Sequence, residues 1–391
     1  MLEGINPVAV KLFDNSGFKA RALSHSLTEE ELIRELRGVK VLGIRSKTQI
    51  TERVVEAAKS LEAVCAFCIG AKQIDQDACS KRGIAVFNDP YSNSRSVAEM
   101  VIGSIICIFR SLFQFNSQMH QGIWNKTVNG SREVRGKTLG IIGYGKIGTQ
   151  VSVLAEGLGM KVLFNDIKER LPQGTARSCE LSELLKRSDV VTLHIDDRRQ
   201  NHNFFGEEQF SAMKKGAVFI NLSRGFVVDI LALSHSLENR LLRGAAVDVF
   251  PNEPPSNGAG FKIPLRGKPN VLLTPHIAGN TVEAQKQIAR FVASQALEFL
   301  LTGNITESLN FPECSLKGVL GSRRVLHIHQ NVAGVLGDIN KIFARRKVNI
   351  DRQFLDTRGG LGYAITQCGR VPAALVEELK KLPHTIRVKG I

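Results

Sequence analysis

The sequence predicts an α/β chain of two parallel-sheet lobes followed by a smaller βαββαβ module. Three observations predict it. Short apolar runs alternate with segments of helical polarity across residues 39–87 and again, more regularly, across 137–274. Strands alternating with helices imply a parallel sheet covered on both faces. The tail then changes order to strand, helix, strand, strand, helix, strand, which is the ferredoxin-like arrangement.

In the first block, strands are expected at 39–44, 63–69 and 84–87, with helices at 52–60 and 78–82. Asn88-Asp-Pro90 breaks the pattern, and one long helix is expected from Ser94 to Met119. The second block places strands at 137–142, 161–165, 189–194, 217–221, 244–248 and 271–274, with helices at 146–158 and 181–186. A helix over 281–301 is expected to carry the chain back to the first lobe, and Phe311 to Leu316 reads as a linker. The tail predicts strands at 324–329, 348–354, 362–367 and 385–388 and helices at 335–344 and 373–381. The expected domains are therefore 1–92 with 283–316, then 93–282, then 317–391.

Composition narrows the class. A chain of 391 residues exceeds one compact core, and 43% apolar with 23% charged residues suits a packed soluble protein. A disordered chain, a collagen-like repeat and a disulfide-stapled miniprotein are excluded. Met1 to Pro7 lacks the basic patch and long apolar run of a secretory signal. The most apolar stretch, between Glu99 and Arg110, has 10 uncharged residues, against about 20 for a membrane span. No membrane partner is expected. Seven scattered cysteines (65, 68, 79, 107, 179, 314 and 368) suit a reducing cytoplasm. Cys65 and Cys68 are spaced C-x-x-C, but their apolar surroundings read as a buried strand.

Lys and Arg number 52 against 37 acids, a net charge of +15 that attracts anions. Residues 315–391 hold 14 Lys and Arg against 5 Asp and Glu, so +9 of that charge lies in the tail. No helix-turn-helix, zinc finger or aromatic-rich basic ribbon accompanies it, so no nucleic-acid partner is expected. No metal site is expected.

Gly143-Tyr-Gly145-Lys-Ile-Gly148 follows a predicted strand and opens a helix. Gly143 permits the tight turn, Gly145 lets a pyrophosphate approach the backbone, and Gly148 lets helix and strand pack closely. Free N–H groups at the helix N-terminus complement phosphate charge. Eighteen residues past Gly148, at the end of the next strand, stands Asp166. A carboxylate there accepts from the adenine-ribose hydroxyls and repels a 2′-phosphate, which favours NAD over NADP, although nearby Lys168 leaves some NADP tolerance open. The expected cofactor is NAD, on a Rossmann-like lobe, with Tyr144, Lys146 and Ile147 completing the turn.

Three residues fall at or just beyond predicted strand ends of the second lobe: Arg224, Glu253 and His276. Oxidising a 2-hydroxy acid needs a base for the hydroxyl proton, and histidine titrates near neutrality. A carboxylate beside it raises its pKa and fixes the ring, and an arginine offers a planar fork to the substrate carboxylate. Taken alone, His276 reads better as a structural histidine, and Glu253 and Arg224 read plausibly as a solvated loop acid and a surface cation. Their occurrence together behind a dinucleotide turn points to catalysis.

Gly140-Ile-Ile-Gly-Tyr-Gly-Lys-Ile-Gly148, Ser223-Arg-Gly225, Asp248-Val-Phe-Pro-Asn-Glu-Pro254 and Thr274-Pro-His276 resemble the D-2-hydroxyacid dehydrogenase family in order and spacing, over nearly the whole chain. The resemblance implies His276 as acid–base, Glu253 as its partner, Arg224 as carboxylate ligand and Asp248 among the cofactor contacts. Formate dehydrogenases of this superfamily carry glutamine where Glu253 stands, which argues against that activity. Within the family the chain is similar to the bacterial branch that oxidises 3-phospho-D-glycerate to 3-phosphohydroxypyruvate, the first step of serine synthesis. That likeness assigns Arg45, Ser46 and Asn93 to the phosphorylated substrate, backbone donors around Gly70 to its carboxylate, and Lys126 to a neighbouring subunit's site. The segment around Trp124 would lie in that interface, and a homo-oligomer, a tetramer, is implied. The tail resembles an ACT domain, in which His329, Asn331 and Asn349 would hold L-serine as end-product inhibitor.

Six residues depart from the family pattern: Lys72, Asp196 with Asp197, Ala278, Ala333 and Lys347. Lys347 occupies a turn where glycine is usual. The competing expectations are a reductase for hydroxypyruvate, glyoxylate or 2-oxoglutarate, and a dinucleotide-sensing regulator without catalysis.

Overall fold

The computed structural model describes residues 1–128, 130–254, 257–318 and 322–391. The chain divides into two compact units, Met1–Ser92 with Gln285–Ile391, and Asn93–Ala284.

The first unit begins with α1 (Pro7–Asn15) and α2 (Glu29–Glu35), then β1 (Val41–Ile44), α3 (Glu52–Ala57), β2 (Ala63–Ala66), α4 (Gln76–Lys81) and β3 (Ala85–Phe87). The short helices start where the sequence supplies a cap. Thr28, Thr51 and Asp75 accept the N–H of residues three further on, and Glu31 completes a capping box with Thr28. The three strands form a parallel sheet in the order β1-β2-β3. All four residues of β2 are buried, as expected of a strand covered on both faces. Cys65 lies inside it, and burial pushes its thiol up to about 12. Cys68 lies just beyond the strand, donates to the Gly70 carbonyl at 3.1 Å, and is likewise pushed up by burial, to about 11. Neither is a poised redox thiol.

The second unit holds α5 (Ser94–Arg110), α6 (Leu112–His120), β4 (Thr138–Ile142), α7 (Lys146–Gly157), β5 (Lys161–Asn165), β6 (Arg177–Ser178), α8 (Leu181–Arg187), β7 (Val190–Leu193), α9 (Glu207–Ala212), β8 (Ala217–Asn221), α10 (Ile230–Glu238), β9 (Leu242–Val247) and β10 (Val271–Leu273). Its seven strands are parallel, in the order β10-β9-β8-β7-β4-β5-β6. The order reverses at β4, so the loop after β4 sits at the switch point where open α/β sheets bind ligands.

The single helix expected over 94–119 is broken. Ser111 takes φ 48, ψ 39, and α5 and α6 bend by 65° there. Its N–H caps the Cys107 and Ile108 carbonyls, so a left-handed residue closes α5 without a glycine. The apolar face of α5, including Val97, Val101, Ile105 and Ile108, is buried in the core of the unit. Among the described residues no single helix is long and apolar enough to cross a membrane.

The first unit resumes within α11 (Val282–Thr302) and ends in β11 (Arg323–Gln330), α12 (Val335–Arg345), β12 (Arg352–Arg358), β13 (Leu361–Cys368), α13 (Ala373–Lys380) and β14 (Thr385–Gly390). The tail is the expected βαββαβ module, an antiparallel sheet in the order β12-β13-β11-β14. Strand β12 begins four residues later than 348 because Val348 packs into the helix-side cluster with Ile339, Phe343 and Leu375 instead.

One face of this sheet packs under α12 and α13. The other joins the first unit's core, where Leu326, Ile328, Tyr363 and Ile365 meet Phe87, Phe299 and Phe311. Basic residues of the tail fix that contact. Arg324, 6% exposed, donates to the Thr302 carbonyl (2.5 Å), to Asn304 (3.1 Å) and to the Leu316 carbonyl (2.5 Å). Thr302 is the last residue of α11, so a cation stands where the helix dipole is negative. Arg387 donates to the Leu61 carbonyl at 2.6 Å, and Lys389 pairs with Glu62 at 2.6 Å. Part of the tail's positive charge is therefore structural.

Lys347 adopts φ 52, a left-handed conformation that costs a β-carbon-bearing residue about 1 kcal/mol. Lys347→Gly is expected to stabilise the protein by about 1 kcal/mol. Its amide bonds to the Ala344 carbonyl and its carbonyl accepts from Arg370, and both are main-chain contacts that the change retains. Urea unfolding monitored by circular dichroism checks the sign.

Candidate active site

The turn after β4 is closed below and open above. Gly143 has φ 91, and a β-carbon there would run into the His194 carbonyl; one on Gly148 would run into that of Gly143. Nothing lies within 4 Å of a β-carbon placed on Gly145. Gly145 is the residue before α7 and supplies no side-chain cap, which leaves the first helical N–H groups to an outside acceptor. Of the intervening residues Lys146 is exposed, whereas Tyr144 and Ile147 turn inward. Tyr144 is 1% exposed, stacks on Phe164 with ring centres 3.8 Å apart and donates to Ser152 at 3.0 Å. Ile147 packs against the same core. Both can serve a nucleotide through the main chain. Asp166 accepts the Tyr144 N–H at 2.8 Å and the Lys168 N–H at 2.9 Å, so the acid expected at the ribose also braces the turn. An open glycine main chain, a helix N-terminus and an acid at the next strand end fit NAD.

Arg224, Glu253 and His276 follow β8, β9 and β10 at the carboxyl end of the same sheet. His276 Nδ1 lies 2.7 Å from Glu253 Oε2, and the other Glu253 oxygen accepts the Phe250 N–H at 3.0 Å. The hydrogen bond to Glu253 raises the His276 pKa above its ordinary value against desolvation, aided by the charges of Glu253 and Asp248 and opposed by Arg224. For Glu253 burial opposes ionisation, but the bonds from His276 and Phe250 and the charges of His276 and Arg224 prevail and lower its pKa. The contact therefore favours the imidazolium and the carboxylate over their neutral forms, relative to the free groups.

Local chain geometry puts these groups there. Asn221 accepts the N–H and hydroxyl of Ser223 and donates to the Arg224 carbonyl, a tight turn that fixes the main chain at Arg224, whose guanidinium donates to the Ser223 carbonyl at 2.7 Å. Gly225 lies so close to Phe250 that a β-carbon would overlap its backbone. His276 itself has φ 55, an uncommon conformation of the kind found at functional sites. Asp248 is fully buried, and its carboxylate accepts from the Thr274 hydroxyl (2.6 Å) and the N–H of Ile277 and Ala278 (both 2.9 Å). Expected among the cofactor contacts, it has both oxygens engaged by the loop that carries His276. The turn at Asn221 and the loop clamp at Asp248 are the functional contributions missed in sequence. An Asn two residues before a strand-end Ser-Arg was the available signal for the first; the second had none, because its partners lie 26 to 30 residues away.

The remaining expected residues are placed as follows. Asn93 precedes α5, and its amide fills the space a side chain at Gly279 would need. Lys126 is exposed, in a segment with exposed Ile123, Trp124 and Val128. In the first unit, the loop bearing Arg45 and Ser46 is anchored by Glu3, which accepts the N–H of Lys47 (3.0 Å) and Thr48 (2.8 Å), and by Gln73, which donates to the Arg45 carbonyl. The Arg45 guanidinium makes no hydrogen bond among the described residues. Gly70 is exposed with open space around it. In the tail, His329 is 2% exposed, whereas Asn331 and Asn349 are exposed. Asp196 is tied within its own loop by Arg198 and Asn201.

A nucleotide turn beside a carboxylate-tuned histidine and an arginine defines an oxidoreductase of hydroxy acids. Residues 102–278 match the model of the D-isomer specific 2-hydroxyacid dehydrogenase NAD-binding domain, and 325–387 that of the AHAS small subunit-like ACT domain. D-3-phosphoglycerate dehydrogenase of Escherichia coli K12 is 45% identical over all of this chain and 96% of its own length, and that of Dictyostelium discoideum 44% over the same shares. Among solved structures, a D-lactate dehydrogenase from Sporolactobacillus is 29% identical with TM-score 0.70, over 79% of this chain and 98% of its own. The chain belongs to the D-3-phosphoglycerate dehydrogenase family of D-2-hydroxyacid dehydrogenases.

Glu253→Gln is expected to move the acidic limb of the kcat/KM profile for oxidation to lower pH. The base must be unprotonated, so activity falls as pH drops through the raised His276 pKa; without the anion that pKa falls, and the limb follows. Rates measured from pH 5 to 9 check the direction.

Proposed function

We propose that this protein oxidises 3-phospho-D-glycerate to 3-phosphohydroxypyruvate with NAD⁺, at the head of L-serine synthesis. The observation that carries the chemistry is the 2.7 Å contact between His276 and Glu253 at the carboxyl end of the NAD-binding sheet. The Gly143–Gly148 turn and Asp166 would hold NAD⁺, which would supply the acceptor for the hydride leaving C2 of the substrate. The other ring nitrogen of His276 takes the C2 hydroxyl proton, and Glu253 stabilises the imidazolium that results. Arg224 holds the carboxylate with its planar fork. Asp166 selects NAD by its charge.

The substrate's phosphate is assigned to Arg45 and Ser46, with Gly70, Asn93 and Lys126 as further contacts and Lys126 acting across a subunit interface of a homotetramer. The exposed Trp124 and Val128 support that interface. The enzyme would work in the cytoplasm, where its cysteines stay reduced. L-Serine would bind the tail at His329, Asn331 and Asn349 and inhibit. His329 supports this assignment: its Nδ1 donates to the Gln330 carbonyl at 2.8 Å, which leaves Nε2 a buried acceptor without a partner among the described residues.

Arg45→Ala tests the substrate assignment. It is expected to raise KM for 3-phospho-D-glycerate by about 30-fold or more while changing kcat/KM for unphosphorylated D-glycerate by less than about threefold. Equal losses on both substrates would remove Arg45 from the phosphate. Suppression of NADH formation by millimolar L-serine, lost in His329→Ala, tests the effector.

A further inference from the structure

Asp166 is not the isolated anion that turns away a 2′-phosphate. It follows β5, and its two oxygens already accept main-chain N–H groups, from Tyr144 at 2.8 Å and from Lys168 at 2.9 Å. The Arg170 Nε stands 3.7 Å from the oxygen that Tyr144 engages. That is too far for a hydrogen bond, so the guanidinium sets its charge against the acid and keeps its donors unused among the described residues. The Asp166 side chain is 10% exposed and that of Arg170 41%, so the cation is the group that faces outward.

A second guanidinium comes from the other side of the glycine turn. Ile142, the last residue of β4, pairs with Asn165 of β5 on one side and with Leu193 of β7 on the other. The loops after these three strands therefore leave the sheet side by side, with Gly143 close against the His194 carbonyl. The loop after β7 departs from the family pattern at Asp196 and Asp197, and it carries Arg198. Asp196 accepts from its Nε at 2.7 Å and its Nη2 at 2.5 Å. That fork fixes the guanidinium and leaves Nη1 without a hydrogen bond among the described residues. The hydrogen bond to Asp196 raises the Arg198 pKa most, and the Asp166 charge adds to it.

A 2′-phosphate brings about two negative charges to this place. Facing Asp166 alone, it would be repelled. Facing Arg170 and Arg198 as well, it meets two cations for one anion. The other charges of the two loops, Lys168 and Arg199 against Glu169 and Asp197, balance in number. The Arg170–Asp166 pair by itself would be an ordinary surface contact of little worth. Two guanidinium groups from different loops, with unused donors and one of them clamped, suit the planar, forked recognition of a phosphate. We propose that Arg170 and Arg198 form a subsite for the 2′-phosphate of NADP, so that this enzyme uses NADP as well as NAD. Asp166 keeps a narrow preference for NAD. The subsite rests on the reading that places Asp166 at the adenine ribose.

Calorimetric titration of the full-length protein with NADH and with NADPH tests both. In the parent, NADPH should bind within about tenfold of NADH. Arg170→Ala combined with Arg198→Ala should weaken NADPH by about 30-fold or more and NADH by less than about threefold. Both side chains are exposed, and the retained NADH affinity shows that the variant has folded. Asp166→Asn should weaken NADH by about threefold or more and leave NADPH as tight or tighter. Unchanged NADH binding in Asp166→Asn would remove the acid from the ribose, and the subsite with it. If NADH responds to Asp166, two results overturn the 2′-phosphate subsite alone. One is NADPH binding more than about tenfold weaker than NADH in the parent; the other is an arginine variant that loses no more affinity for NADPH than for NADH.

Discussion

Replacing His276 by alanine is expected to lower kcat for NADH formation from 3-phospho-D-glycerate by about 10³-fold. The substrate hydroxyl is a very weak acid, and without a neighbouring base its proton must leave to water as hydride departs. Glu253 cannot substitute, because one of its oxygens stays engaged by the Phe250 N–H and a carboxylate is a far weaker base than an imidazole. KM should change little, since the change leaves Arg224 and Arg45 untouched. Steady-state absorbance at alkaline pH measures both constants. A variant within tenfold of the parent would place the base elsewhere.

Arg324→Ala is expected to destabilise the protein by about 3 kcal/mol, seen as a fall of several degrees in the thermal midpoint. The guanidinium is buried and satisfies three oxygens: two carbonyls, one of them ending α11, and the Asn304 side chain. Removing it leaves those acceptors buried in a contact whose other members are Leu326 and Tyr363. Tyr363 repeats the arrangement by donating to the Gly303 carbonyl at 2.5 Å. A loss below about 1 kcal/mol would mean that water replaces the guanidinium.

The strands were legible wherever an apolar run was short and flanked by breakers. Val41–Ile44, Ala63–Ala66 and Ala85–Phe87 fall inside the expected runs. The kink at Ser111 was not legible, because a serine in a left-handed conformation carries no mark that distinguishes it from a helical one. Helices α1, α2 and α10 were not expected, although Asn6, Thr28 and Asp229 cap them and were visible as signals. In the site, Arg224, Glu253 and His276 were found by residue type and strand-end position. Their coupling could be proposed from chemistry but measured only in three dimensions, since His276 and Glu253 are 23 residues apart.

The tail's charge shows the same division. From the sequence, +9 in residues 315–391 marked an excess with no partner. Arg324, Arg387 and Lys389 are structural because β11 and β14 bring them against Thr302, Leu61 and Glu62. What the sequence by itself determined was local: the alternation that makes the sheets, the glycine turn, and the chemical kinds of residue at the strand ends. What the tertiary structure alone decided was which distant groups meet. A hydrogen bond or buried cation acquires its meaning from partners that only folding supplies, and their positions along the chain carry no local signal of the meeting.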